Sequence, residues 1–285
     1  MRAVALALGL TLAGCSVPEG FWRDQYVFIG DQGTVMPLGV LRWSDGHAEL
    51  KGWLGQGGRW RSSLDRRFAI AGRDASSLER TLRVFSAQAG PSARVTLRGG
   101  SSPESAMHLR VRTPSRDLRL SAARLPVVGE SGDPEGPSSY RAGRGELRSG
   151  RTREAGWILV ESTPTARPKR GFVSYGDYAL VLVASRERGA LLLKRSLDVA
   201  GFDHAFVVSE SGTRETRDVR AEVGADRLRV ASPALGLDAS MSIDDRETSR
   251  GVAPHGLALS YQTLLLSGDY AGVAFLIHPQ GGGAT

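Results

Sequence analysis

Cysteine occurs once in the 285 residues, at Cys15, which excludes an internal disulfide framework and any zinc or iron–sulfur site built on several thiolates. Lysine is almost absent, confined to Lys51, Lys169 and Lys194, so the net charge of +7 and the pI near 10.0 are carried by arginine. Those arginines alternate with apolar residues along the chain. They do not cluster with lysine and aromatics as in a nucleic-acid interface, and we expect no nucleic-acid partner. No apolar run reaches the ~18 residues of a spanning helix. Aromatics make up only 7%. The five histidines (His47, His108, His204, His255 and His278) show no metal-ligand spacing, and there is no nucleophile elbow, P-loop or dinucleotide fingerprint. No metal and no cofactor are expected. Hydrophobic residues at 41% suffice for a core, and 36 glycines without a three-residue period exclude collagen.

The amino terminus has a pattern of its own. Met1-Arg2 precedes the apolar run from Ala3 to Ala13, then Gly14-Cys15. This is the layout of a secretory signal, too short to span a bilayer. Leu12-Ala13-Gly14-Cys15 resembles the bacterial lipobox, so residues 1–14 are expected to be removed and Cys15 acylated, with residues 15–20 as a tether. Several acyl chains on one residue anchor stably. Ser16 in place of aspartate points to the outer membrane. The alternative is an ordinary signal peptide with a chance cysteine.

The remaining chain alternates with period 2, as half-buried strands do. Met107, Leu109 and Val111 interleave with His108, Arg110 and Arg112, and Leu118 and Leu120 flank Arg119. Leu235, Leu237, Ala239, Met241 and Ile243 share one face. His108 reads as solvated. Turn signals such as Gly55-Gln56-Gly57-Gly58 and Ser267-Gly268-Asp269 recur at short spacing. The fold class expected is all-β, with two antiparallel barrel or sandwich units. Helix competes with strand only around Ser76–Phe85 and Tyr261–Leu266. The Gly/Pro/Ser/acid-rich stretch 127–138 reads as a linker between units at 21–126 and 139–279, and 280–285 as a flexible tail.

Few residues invite chemistry. Asp203-His204 is the one adjacent acid–imidazole pair and reads as a surface pair. Asp244, Asp245 and Glu247 could hold a cation, but a solvated turn accounts for them. Trp22, Trp43, Trp53 and Trp60 fall early, and such a group can line an apolar cavity or simply fill a core.

The mature chain resembles the carotenoid 1,2-hydratase and AttH-like family, with tandem lipocalin-like β domains. The resemblance is carried by Phe21–Tyr26, Leu125–Gly132, Ser138-Ser139-Tyr140 with Gly145-Glu146-Leu147, and Gly156-Trp157. It continues through Asp177–Leu180, Gly189–Leu193, Ser232–Asp238 and Gly268–Ile277. It implies two lipocalin-like units and an apolar ligand or substrate. The hydratases of the family carry an acidic, histidine-bearing stretch after the glycine–tryptophan, where this chain has Ile158-Leu159-Val160-Glu161-Ser162-Thr163. Glu161 is thus the one candidate acid. It is placed on the outer, solvated face of its strand, with the β-branched Ile158 and Val160 turned inward. The expectation is a membrane-anchored envelope protein that carries a lipid or isoprenoid, with Trp22, Tyr26, Trp157 and Tyr178 lining the site. A hydratase or isomerase of a hydrophobic substrate and a non-catalytic scaffold are the alternatives.

Overall fold

The computed structural model describes residues 20–43, 47–70, 84–89, 93–99, 106–114, 116–133, 136–166, 178–185, 189–196, 204–209, 211–252 and 258–279. In some of these strands only the backbone is described. The expected signal segment, Cys15 and the tail at 280–285 lie outside these residues.

Alternating sequence becomes strand almost everywhere. The first sheet contains β1 (Gly20–Gly30), β2 (Val35–Trp43), β3 (His47–Gln56), β4 (Arg59–Ile70), β5 (Val84–Ala89) and β6 (Ala93–Gly99). It continues with β7 (Met107–Thr113), β8 (Arg116–Ala122), β9 (Val127–Asp133), β10 (Gly136–Ser149) and β11 (Thr152–Ala166). The second contains β12 (Tyr178–Ser185), β13 (Gly189–Ser196), β14 (His204–Ser209), β15 (Gly212–Thr216), β16 (Arg220–Val223), β17 (Arg227–Ser232), β18 (Leu237–Val252), β19 (Ala258–Gly268) and β20 (Ala271–Pro279). Neighbours run antiparallel. β11 pairs with β1 on one side and β10 on the other, which curls the first sheet toward closure. Each sheet is a curled half-barrel, and together they make two lipocalin-like units. The only helical turn among the described residues is a 3-10 turn at Pro233–Leu235.

Turn chemistry sets the register. Gly57 and Gly58, at φ +59° and +69°, make the two-residue connection from β3 to β4. Both central positions of such a turn need positive φ, which glycine adopts without cost.

The apolar residues fall into three layers. Tyr26, Phe28, Leu38, Leu109, Leu120, Ile158 and Val160 fill the first unit. Val181, Leu191, Leu193, Leu228, Met241 and Leu264 fill the second. Between the sheets lies a third layer with Val27, Ile29, Tyr140 and Leu159 from the first and Leu180, Leu182, Leu192 and Phe206 from the second. Strands at this seam are buried on both faces. They read as unbroken apolar runs, Val27-Phe28-Ile29 and Leu180-Val181-Leu182-Val183-Ala184, rather than as alternation.

One expectation is corrected, and one of the two open choices between helix and strand is decided. Residues 127–138 do not link two units: β9 and the start of β10 form a hairpin within the first sheet. β9 is the edge strand, and Pro137 precedes the β11 pairing, which begins at Ser139, so the missing proline donor breaks no ladder there. The change of sheet falls between Ala166 and Tyr178. Tyr261–Leu266 is strand, inside β19, and both of its edges are taken up by pairing with β18 and β20. Of Ser76–Phe85, Val84 and Phe85 open β5, and the rest lies outside the described residues.

Candidate functional site

Two groups of polar side chains are enclosed by apolar layers, on opposite faces of the same three strands. In β1 the residues Asp24, Tyr26 and Phe28 point into the first unit. Asp24 stands opposite Ser162 of β11 and Val40 of β2, and Tyr26 opposite Val160 and Leu38. Arg141 of β10, also opposite Val160, shares that face. Asp24 is buried, at 3% exposure. Ser162 Oγ donates to Asp24 Oδ1 at 2.6 Å, and the Tyr26 hydroxyl approaches Oδ2 at 3.4 Å. Burial pushes the Arg141 guanidinium below the usual arginine value, while Tyr26 and Asp24 act in the opposite sense. Arg141 and Ser162 are only half-buried, so the group meets solvent at one end. The other end abuts Phe28, Leu38 and Val160.

The second group sits in the seam. Glu161, opposite Gln25 and Tyr140 in register, has no exposed surface. The Tyr140 hydroxyl, also fully buried, reaches its Oε1 at 3.4 Å. Across the seam the Tyr140 ring meets Phe206 at 5.0 Å between centroids, and His204 stacks on Phe206 at 6.2 Å and 9°. His204 Nδ1 lies 3.6 Å from Glu215 Oε1.

These positions correct two sequence readings. Ile158 and Val160 do face inward, but the opposite face of β11 is covered by the second sheet, so Glu161 is enclosed instead of solvated. His204 is buried at 3% exposure instead of lying at the surface, because β14 alternates between the second unit's interior and the seam. Asp203 is outside the described residues. His108 is exposed, as expected.

Of the four residues proposed to line one site, two have described side chains, and these two lie on different faces of the first sheet. Tyr26 lies inside the first unit. Trp157 is on the other face of β11, half-buried against the seam, with the Arg144 guanidinium 5.7 Å from its ring. Trp22 stands opposite Pro164 and Arg42, and Tyr178 opposite Ser196 and Ile277; their side chains are outside the described residues. The Trp53 and Trp60 rings lie 6.3 Å apart, and Trp60 packs into the seam. Asp245 accepts the Trp60 backbone N–H at 2.8 Å, and Asp244, at a bulge in β18, accepts from Ser267 at 2.8 Å. Among the described residues no three acids, histidines or cysteines converge to hold a metal ion.

Sequence reasoning missed Asp24. Its signal was available: a lone carboxylate at the inward parity of an otherwise apolar series, Asp24, Tyr26 and Phe28.

No family model matches the sequence, and no curated protein is detectably similar to it. Solved structures do resemble it in fold. A protein of Nitrosomonas europaea assigned as AttH matches with a TM-score of 0.52 at 13% identity, covering 97% of each chain. Kievitone hydratase of Nectria haematococca gives 0.48 at 7% identity, over 91% of this chain and 89% of its own. CghA with Sch210972 gives 0.49 at 11%, over 93% and 90%. The first of these shows a shared fold, the tandem lipocalin-like arrangement that the sequence motifs implied.

Proposed function

We propose that the protein moves protons on a hydrophobic substrate held in its first lipocalin-like unit, as a hydratase or isomerase. The observation that carries this is the Asp24 carboxylate inside an apolar interior, fixed by Ser162 and next to the Tyr26 hydroxyl. In water addition to a carbon–carbon double bond, Asp24 takes a proton from water as the hydroxyl bonds to one carbon. The Tyr26 hydroxyl gives its proton to the other carbon. Asp24 then returns the proton it took to Tyr26, which restores both groups and consumes one water. General acid–base catalysis of this kind contributes about 10²–10⁴-fold each time a group is well placed. Arg141, on the same face, supplies donors for an oxygen of the substrate.

The test is to incubate the purified protein with acyclic isoprenoids and prenylated phenols in deuterated water, and to follow gain of water or of deuterium by mass spectrometry. Turnover is expected to fall by about 10²-fold or more in Asp24→Asn. Glu161→Gln, altered in the sealed seam, is expected to keep turnover. Activity lost in Glu161→Gln and kept in Asp24→Asn would move the chemistry to the seam. The apolar lining of the first unit favours a second reading, a carrier of an apolar molecule. Binding of these compounds without turnover by either protein would support it.

We further propose that the mature protein is held at the outer membrane by an acylated Cys15, on the strength of the lipobox-like sequence. Mass spectrometry of the detergent-extracted protein is expected to find Cys15 as a lipid-modified amino terminus. An unmodified thiol, or a mature chain beginning elsewhere, would refute it.

A further inference from the structure

Four arginines stand in one line across the outer face of the first sheet. Arg110 of β7 is the register partner of Arg119 in β8, Arg119 of Arg148 in β10, and Arg148 of Arg153 in β11. Strands lie ~4.8 Å apart, so the line spans about 14 Å. Like charges set directly opposite one another destabilise a sheet. Within the chain the line is only half neutralised. Asp117 is shared by Arg110 and Arg119, at 2.7 and 3.0 Å, and Glu146 by Arg148 and Arg153. Hydrogen bonds from Arg110 first and Arg119 second hold the Asp117 carboxyl well below the usual carboxylate range, so it stays ionised. Each carboxylate faces two guanidiniums, which leaves one positive charge over in each group. Arg112 and Arg151, both exposed, add two more on the same face and the adjoining turn. The second unit shows the opposite balance: between Gly212 and Glu247, eight carboxylates outnumber six arginines. This line and its flanks therefore carry an excess of positive charge, where the stretch from Gly212 to Glu247 carries an excess of negative charge.

We infer that this face docks on an anionic phospholipid surface. A line of charges on a gently curved sheet suits a surface of phosphate headgroups. Nucleic-acid binding to single strands would use aromatic side chains between the basic ones, and among the described residues no aromatic residue is a register neighbour of these four arginines. The choice of lipid rests on the anchored-lipoprotein reading, and the experiment keeps the two separable by removing the anchor.

The full chain with Cys15→Ser, which has no thiol to acylate, is sedimented with vesicles. One set is phosphatidylcholine alone, and the other is phosphatidylcholine with phosphatidylglycerol. The protein is expected to partition onto the anionic set, less so as salt rises. Arg119→Gln with Arg148→Gln leaves Arg110–Asp117 and Arg153–Glu146 intact. With about 1 kcal/mol for each arginine near such a surface, this pair is expected to lower partition by roughly 30-fold. Arg229→Gln in the second unit is expected to leave it unchanged. Should the first pair fail to fold, Arg112→Gln with Arg151→Gln lies on the same side outside these ion pairs and is expected to show the same direction of change. Equal partition onto both sets, or onto the anionic set by every variant, overturns the inference. So does displacement of the protein from anionic vesicles by duplex DNA at the same salt.

Discussion

Glu154 illustrates how a buried acidic side chain in this molecule can be structural. Its side chain, 4% exposed, runs back from β11 to the turn between β1 and β2, where Oε1 accepts the backbone N–H of Gln32 at 2.7 Å and approaches that of Thr34 at 3.5 Å. Gly30 leaves the space it crosses, since a methyl group there would overlap the carboxylate. Glu154→Ala leaves the Gln32 donor without this acceptor, and a cost of about 1–3 kcal/mol is expected. Glu154→Gln keeps an acceptor oxygen in place and should cost less. Urea unfolding of the parent and the two variants checks the order; one midpoint shared by all three would show that the carboxylate does not hold the turn. Asp24 differs in its surroundings, with Ser162, Tyr26 and the half-buried Arg141 around it and solvent at one end. That access separates a candidate reacting group from a structural one more sharply than burial does, because Glu161 is buried more completely.

At the scale of elements, close approach across the seam depends on what strand β9 lacks. Gly129 pairs with Tyr140, and a methyl group there would lie inside the Phe206 ring. Gly129→Ala is expected to destabilise by roughly 1–3 kcal/mol, the usual cost of overpacking. Phe206→Leu in the same chain should return part of that loss, as measured by thermal unfolding of the single and double variants; strictly additive losses would place the strain elsewhere. The same strand explains what was legible in the sequence. Strands buried on one face, such as Met107–Thr113 with its strict in–out burial, were plain from alternation. The edge hairpin of β9 and β10 was not, because glycine and proline mark a chain break and a sheet edge alike. The seam was missed for a related reason. Ile158-Leu159-Val160-Glu161 gives no sign of which neighbour covers its second face, so the enclosure of Glu161 and His204 could not be read from one strand. Asp24 was legible by parity, yet the aromatic residues on either side drew attention to themselves.

At the scale of the molecule, the question is whether the two units stand alone. Units joined by a small polar interface move and unfold separately. Here the seam is apolar, contains fully buried Leu159, Leu182, Leu192 and Phe206, and is bridged by the bond from Trp60 N–H to Asp245. We expect one cooperative transition for the folded chain. The sequence offers a selective probe, because all five tryptophans belong to the first sheet: Trp22, Trp43, Trp53, Trp60 and Trp157 lie in β1, β2, β3, β4 and β11. Tryptophan fluorescence therefore reports the first unit, and far-ultraviolet circular dichroism reports both. In urea the two signals should share a midpoint, the standard test of a two-state transition. Leu182→Ala, which opens a hole on the second unit's side of the seam, should cost about 2–5 kcal/mol. If the units are coupled, it lowers the fluorescence midpoint as far as the dichroism midpoint, although no tryptophan is in its strand. A fluorescence midpoint left in place while the dichroism splits into two steps would mean that each half-barrel holds its own fold, and that the seam is a contact between neighbours and not a shared core.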